Sequence, residues 1–289
     1  MASTPDITPQ GATASVLSWL RRDLRAALCL GYLLALVIAS VAAPLIAQHS
    51  PIEQSMDMLA PPSGAHWLGT DDLGRDVFAR MVYGAPMSLY ASMVAVGVGL
   101  ALGLPTGMLA GYLGGRVDTV ISRIIDTLLA FPGIILAVAV TGALGIGLTN
   151  AMIAVGIVFA PNIARLIRIQ TIVVKNELYV DAARSFGMPV RGIILRHIVP
   201  NAIQPIIVQV TVMLAGALLA EASLSFLGLG VQPPWPSWGQ MLARGYTYME
   251  IAPEQMYAPG IAILLTALAY NGLGESLRTR LDPTSRSRR

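Results

Sequence analysis

The sequence predicts an all-α membrane protein built from six transmembrane helices. Three observations predict it. The chain of 289 residues is 55% apolar and 12% charged, about half the ~25% charge of an average soluble domain. Its apolar residues fall in runs of about 18 residues or more with few charges, which sets aside a soluble protein with a large greasy core. Its 19 Lys and Arg crowd into every second segment between those runs. Backbone groups in lipid must be satisfied within the segment, so the runs are read as helices, and the alternating pattern of a membrane barrel is absent.

Residues 1–20, rich in Ser, Thr, Pro and Ala, read as a disordered cytoplasmic tail. The six-helix body is placed at 21–277, and its first span is Ala26–Ala47, behind Arg21, Arg22 and Arg25. This run is too long for the apolar part of a secretory signal and is read as an uncleaved helix. Cys29, the single cysteine, lies inside it and has no disulfide or metal partner. Residues 48–87 form an outside segment. Within it Thr70 or Asp71 suits the N-cap of a short helix over Leu73–Tyr83, with Val77 over Met81 and Asp76 over Arg80 at i, i+4. That helix is expected to lie along the outer surface, with Trp67 and Tyr83 at the membrane–water boundary.

The second span is Ser88–Leu113, in which Gly97, Gly99, Gly103 and Gly107 mark close helix packing. A turn at 114–123 leads to the third span, Ile124–Leu144, and the fourth is Asn150–Ile172. An inside segment at 173–200 precedes the fifth span, Ala202–Ala220. Residues 222–256 are too apolar for a free loop and too rich in Pro and Gly for a span, so a re-entrant or interfacial stretch is expected. The sixth and shortest span is Ala258–Leu273, followed by a basic cytoplasmic tail at 278–289. Runs of about 20 residues rise ~30 Å as helices, the thickness of the hydrocarbon core.

Orientation follows from positive charge. With the N-terminus in the cytoplasm, all of the 19 Lys and Arg except Arg75, Arg80 and Arg244 fall in inside segments. Both termini are then cytoplasmic, and the net charge of +3 reflects membrane orientation and contact with lipid. The basic residues are spread over separate segments, which gives nucleic acid no footprint. The three histidines, His49, His66 and His197, are divided between the two sides and form no single metal site.

The inside segment is the most patterned part of the chain. Glu177–Phe186 has helical character, and Ala182 and Ala183 give it a small surface that a partner can approach closely. Gly187 can take positive φ and end the helix, and Pro189 suits the first turn of the next. Val190, Ile193, Ile194 and Ile198 form a stripe for the bilayer or the bundle, and Pro200 resets the chain. On composition alone, an amphipathic loop anchored on anionic lipid accounts equally well for these residues.

Asp181-Ala182-Ala183, three residues, Gly187, ten residues, then Ile198-Val199-Pro200 resembles the "EAA" loop of ABC importer permeases, with Asp181 standing where that family usually has Glu. The stretches His66–Gly84, with the core Leu-Gly-Thr-Asp-Asp-Leu-Gly-Arg-Asp, and Ser223–Gly239 are similar to the outside segments of the dipeptide/oligopeptide/nickel permeases, in detail to the C-type permease of peptide importers. Pro86 departs from that family's usual Arg.

The resemblance implies the type I permease fold of ABC importers. It implies a coupling helix in which Asp181, Ala182, Ala183, Gly187, Ile198 and Pro200 meet the ATPase, and an outer face where Asp71, Gly74, Arg75 and Asp76 meet a binding protein. It further implies a homologous B-type permease partner, ABC ATPase subunits (two, or one fused chain) and an extracytoplasmic substrate-binding protein, in the bacterial cytoplasmic membrane. This chain carries no G-x-x-x-x-G-K-[ST] loop, so ATP and Mg belong to the ATPase partner and no cofactor is expected here.

Di- and oligopeptides are the cargo the resemblance favours, with nickel as the alternative. An ion-driven secondary transporter would need ionisable groups at membrane depth, for which Glu221 is the one good candidate and Asp126 lies at a boundary. An intramembrane enzyme finds neither H-E-x-x-H nor G-x-S-x-G, and a plain scaffold leaves the patterned outside segments unexplained.

Overall fold

In the computed structural model, residues 20, 21 and 23–281 are described; Arg22 and most of the two tails expected at 1–20 and 278–289 lie outside them. Asp23 opens the first helix by accepting from the Ala26 amide at 3.1 Å. Helix α1 runs Leu24–Val41, and after a turn at Ala42 the short α2 covers Ala43–Ile46, so the first span breaks near its end.

The expected short surface helix at Leu73–Tyr83 is not a separate element. One helix, α3, runs unbroken over Val77–Leu113, with Asp76 as its N-cap through a 2.7 Å bond from the Ala79 amide. Pro86 and Pro105 sit inside it; each removes only one backbone donor, which tertiary packing offsets. Its 37 residues rise ~55 Å, well beyond the ~30 Å hydrocarbon layer, so its first turns stand clear of the lipid.

The third span also differs from the expectation of one straight helix at Ile124–Leu144. It is a pair, α4 (Gly115–Leu129) and α5 (Gly133–Leu144), bent by 96°. Pro132 is the N-cap of α5 and disfavours helix at Phe131, which ends α4. Then follow α6 (Leu148–Lys175), α7 (Leu178–Ser185), α8 (Val190–Ile193), a π turn over Ile194–Ile198, α9 (Val199–Ala202), α10 (Gln204–Phe226), α11 (Trp238–Thr247) and α12 (Glu254–Leu281). The sixth span, expected to be the shortest, is 28 residues long, and Arg278 and Arg280 belong to its last turn rather than to a tail. Five helices are long and apolar enough to cross a membrane, and the bent pair makes a sixth crossing.

Contacts fix the direction of each helix. Tyr32 of α1 meets Thr266 of α12 at 3.1 Å and Cys29 lies on Gly272, so these two helices are antiparallel. Gly274 of α12 lies on Thr211 and Tyr270 packs with Ala215, so α12 opposes α10. Gly216 and Gln209 of α10 lie beside Phe159 and Leu166, so α10 opposes α6. Helices α3 and α6 instead run parallel. Gly99, Gly103, Gly107 and Gly111 of α3 lie successively on Gly156, Ile163, Ala164 and Thr171 of α6. Gly97, expected to share this packing, faces away from it with open space around it.

Two parallel helices joined in sequence need a return crossing, and α4–α5 supplies it. Asp118 binds Arg168, Gly133 lies at Val158 and the Asn150 amide donates to Leu144 O at 3.0 Å. These contacts descend a length of α6 that rises roughly 27 Å. The crossings therefore alternate, and the two described ends of the chain come together at one end of the bundle, where Asp23 lies beside Ser276. Residues 178–200 lie at that same end, and residues 47–76 and 227–253 cover the other. Alanine and branched aliphatic residues from α3, α5, α6 and α10, such as Ala95, Ala137, Ile163 and Ala217, make the main core.

Candidate functional site

Two regions stand out, one at each end of the bundle. At the end that carries both termini, α7 projects from the bundle. Its close is a Schellman turn: the Met188 amide donates to Ala183 O at 3.1 Å and the Gly187 amide to Arg184 O at 3.0 Å. Gly187 sits at φ +75°, the left-handed value this motif needs, and the space where a side chain would stand is open. Pro189 at φ −64° is the N-cap of α8 rather than its first residue. Pro200 does not interrupt the chain. It enters the first turn of α9 just after the π turn, where the Val199 amide reaches Ile194 O. Pro200 has no N–H to offer Arg196 O, and the widened turn accommodates that gap.

Asp181 and Ala182 are exposed, Ala183 is half-buried and Pro200 is exposed. Asp181 pairs with Arg184 at 2.9 Å in the open, an arrangement worth at most about 1 kcal/mol. Ile198 is different: it is wholly buried, as are Val180 and Ile193, and these three anchor the projection to the bundle. Of the expected apolar stripe, Ile193 and Ile198 pack inward while Val190 stays exposed. The free tip of the projection is apolar at both ends of α7, with Leu178 at its start and Phe186 at its close at 85% and 91% exposure. At the rear of the projection the Tyr179 ring lies 5.9 Å from that of His197, and burial together with Glu177 raises the Tyr179 pKa.

The same end is braced by ion pairs between crossings. Asp118 of α4 takes both ends of the Arg168 guanidinium, one contact at 2.6 Å, and Arg165 reaches Asp126 at 2.7 Å. The Lys175 ammonium donates to Tyr112 O at 2.6 Å and closes α6 onto α3. Asp126 is thus a surface partner of Arg165, more than half exposed. Asp118 lies in the stretch read from the sequence only as a turn at 114–123.

At the opposite end Asp71, Gly74, Arg75 and Asp76 come together, but all are buried in this chain. Arg75 binds Asp71 at 2.7 Å and Arg80 approaches the same carboxylate at 3.4 Å. The expected Asp76–Arg80 pair is absent, because Asp76 caps α3 and takes His66 at 2.9 Å while Arg80 turns to Pro51 O and Gln240. Gly74, at φ +70°, lies against Ser55, leaving no room for a side chain. These four residues are thus held inside the chain, beneath its outer surface.

Glu221, near the end of α10, is fully buried and accepts from Ser225 and Ser237, each at 2.8 Å. Ser237 also caps α11, whose Trp238 donates through Nε1 to Met81 O at 3.0 Å. Residues 227–254 thus fold back as a short helix on the bundle end, as an interfacial stretch would. His49 stacks on His66 at 4.7 Å, and with Asp76 they form a group whose donor atoms lie within 4.8 Å, a convergence that the division of the histidines by side did not anticipate.

Comparison with known proteins was made against this geometry. The sequence profile described as "Binding-protein-dependent transport system inner membrane component" matches residues 103–287. The dipeptide transport system permease protein DppC of Alkalihalophilus pseudofirmus is 41% identical over 87% of this chain and 83% of its own length. The glutathione transport system permease protein GsiD of Shigella flexneri is 51% identical over 77% of this chain and 73% of its own. Among solved structures, a chain of the MetNI methionine ABC transporter in an inward-facing conformation aligns with a TM-score of 0.56 over 71% of this chain and 97% of that one, at 21% identity, a likeness of fold.

Proposed function

The chain belongs to the inner membrane components of binding-protein-dependent transport systems, the multi-pass permeases of ABC importers, and from that membership we propose that it forms half of a pathway for di- or oligopeptides. The second half is a homologous permease. ATPase subunits, separate or fused, sit beneath the projection at 177–200 and bind the ATP and Mg. A substrate-binding protein docks at the end covered by residues 47–76. The chain's two termini and the projection face the cytoplasm.

The observation that carries this reading is the apolar tip of the projection, exposed at both ends of α7. Phe186 and Leu178 stand free at the end that positive charge assigns to the cytoplasm, and an exposed apolar knob on a rigid stem fits a groove on a soluble partner. Its buried anchors join that tip to α6 and α10. Inward or outward movement of the partner would then tilt crossings as rigid bodies. The dipeptide and glutathione relatives support peptide over nickel as cargo. An ion-driven transporter is disfavoured, since Glu221 is held by two serine hydroxyls under the cap rather than aimed into a cavity.

The test is uptake by proteoliposomes that hold the complex with its binding protein. Peptide accumulation should require ATP and continue when a protonophore collapses the proton gradient. Accumulation that follows the gradient and ignores ATP overturns the reading.

A further inference from the structure

A groove of about 850 Å³ opens between α6, α10 and α12 at the end that carries the termini. It continues along the bundle into a second hollow of about 420 Å³ between α6 and α10, the two sharing Leu166, Gln209 and Val212. Its lining is patterned. Asn162, Leu166 and Gln170 follow one another at i, i+4 on one face of α6, and Pro205, Gln209 and Gly216 lie along the facing stripe of α10. Asn271 of α12 adds a further amide at the wide end.

The side chains of Asn162, Gln170, Gln204, Gln209 and Asn271 make no hydrogen bond to any described residue. Polar groups left unpaired against hydrocarbon cost several kcal/mol each, so this face is not a lipid-facing one. It is wet, or it meets something that hydrogen-bonds. The narrow hollow has only Asn162 and Gln209 as polar lining and no charged group; Glu275 and Arg278 lie at the wide end alone.

We infer that this amide-lined groove is the chain's share of the translocation path, and that Asn162 and Gln209 recognise the peptide main chain as it passes. The inference rests on the peptide-importer reading above. A carboxamide both donates and accepts, so it matches a peptide bond in either direction of travel. A neutral lining neither attracts nor repels charged side chains, so cargo is read by its backbone, which every peptide shares. The amides follow one another along α6 and α10, which lets one be engaged as another is released.

The test uses the complete reconstituted complex and trialanine, compared with its analogue N-methylated at the peptide nitrogens. Loss of one well-formed hydrogen bond corresponds to about tenfold. Gln209→Leu and Asn162→Leu should each lower trialanine uptake by about that factor and lower uptake of the N-methylated analogue far less, so that the preference ratio narrows. Gln209→Asn should restore most of the ratio. The binding protein is the same in every arm and cancels from the comparison. In a Cys29→Ala background, Gln209→Cys should react with a water-soluble thiol reagent in the working complex.

Unchanged ratios in both Leu variants overturn the inference, as does an unreactive Gln209→Cys in a complex that transports, which would mean that a helix of the partner permease covers the groove. If the wild-type complex takes up no trialanine with ATP, the importer reading falls and takes this inference with it; wild-type uptake with unchanged ratios removes the inference alone.

Discussion

At Gly187 the backbone, not the surroundings, restricts the choice of residue. Its amide serves the Schellman turn at φ +75° and its Cβ position is open. A β-branched residue there costs about 1–2 kcal/mol of strain, whereas Asn tolerates that conformation. Gly187→Val should therefore lose peptide-stimulated ATPase activity in the reconstituted complex and Gly187→Asn should keep most of it; equal activities would remove the turn from the mechanism. Ala183, half-buried beside the exposed tip, argues separately. Ala183→Arg should abolish copurification with the ATPase while leaving the chain in the membrane, read by pull-down from solubilised membranes. Glu221 gives the third residue-level prediction. Its Oε1 accepts two serine hydroxyls, a role that Gln can keep and Ala cannot. Glu221→Ala should lower the Tm of the purified complex, at a cost of about 1–3 kcal/mol for the orphaned donors. Glu221→Gln should transport, and its failure with a normal Tm would revive proton coupling. The sequence made the Gly187 turn legible because a left-handed residue has few alternatives. It did not make the burial of Asp71, Arg75 and Asp76 legible, because charges in an outside segment read as exposed until tertiary partners such as Arg80 and His66 are known.

Helices α3 and α6 meet through a ladder of small residues, and that ladder sets how close the two backbones come. A Cβ at Gly103 would stand 2.7 Å from Ile163 Cβ and 2.8 Å from Ala160 O, contacts that rigid neighbours cannot relieve. Gly97, on the same helix, would meet nothing. Gly103→Leu should therefore cost about 1–3 kcal/mol by overpacking, while Gly97→Leu should be nearly neutral. Thermal unfolding of the two variants in detergent separates them; equal Tm values would contradict the parallel packing. Small residues every fourth position, Gly99, Gly103 and Gly107, pointed to this interface; Gly97 stands out of that register, and glycine content alone had grouped it with them. The break between α4 and α5 was written in Phe131-Pro132-Gly133, yet an apolar run of suitable length hid it. Hydropathy measures lipid compatibility and is blind to direction. In the same way Asp76 acts as the N-cap while Thr70 and Asp71, equally good caps by residue type, are drawn into the cap network.

Alternation of the crossings is a property of the entire bundle, and it constrains sidedness more tightly than any single segment. The parallel pair α3 and α6 forces a return through α4–α5, and the proximity of Asp23 to Ser276 puts both described ends of the chain together. Six crossings and a shared end were legible from hydropathy and charge, because the bilayer's thickness and the cost of moving arginine across it act on sequence directly. Positive charge alone assigns one end to the cytoplasm, an assignment that one thiol at each end can test. Phe186, 91% exposed at the close of α7, and Trp67, 51% exposed at the opposite end, are sites where cysteine is open to a reagent. With Cys29→Ala as background, Trp67→Cys should react with a membrane-impermeant maleimide in intact cells, and Phe186→Cys should react only after the membrane is opened. ATPase subunits bound at the projection should then slow the Phe186→Cys reaction by at least about tenfold, since burial of an apolar tip in a groove removes it from water. Labelling of Phe186→Cys from outside would invert the topology. It would also separate the projection from any cytoplasmic ATPase, and the coupling proposed for it would fall.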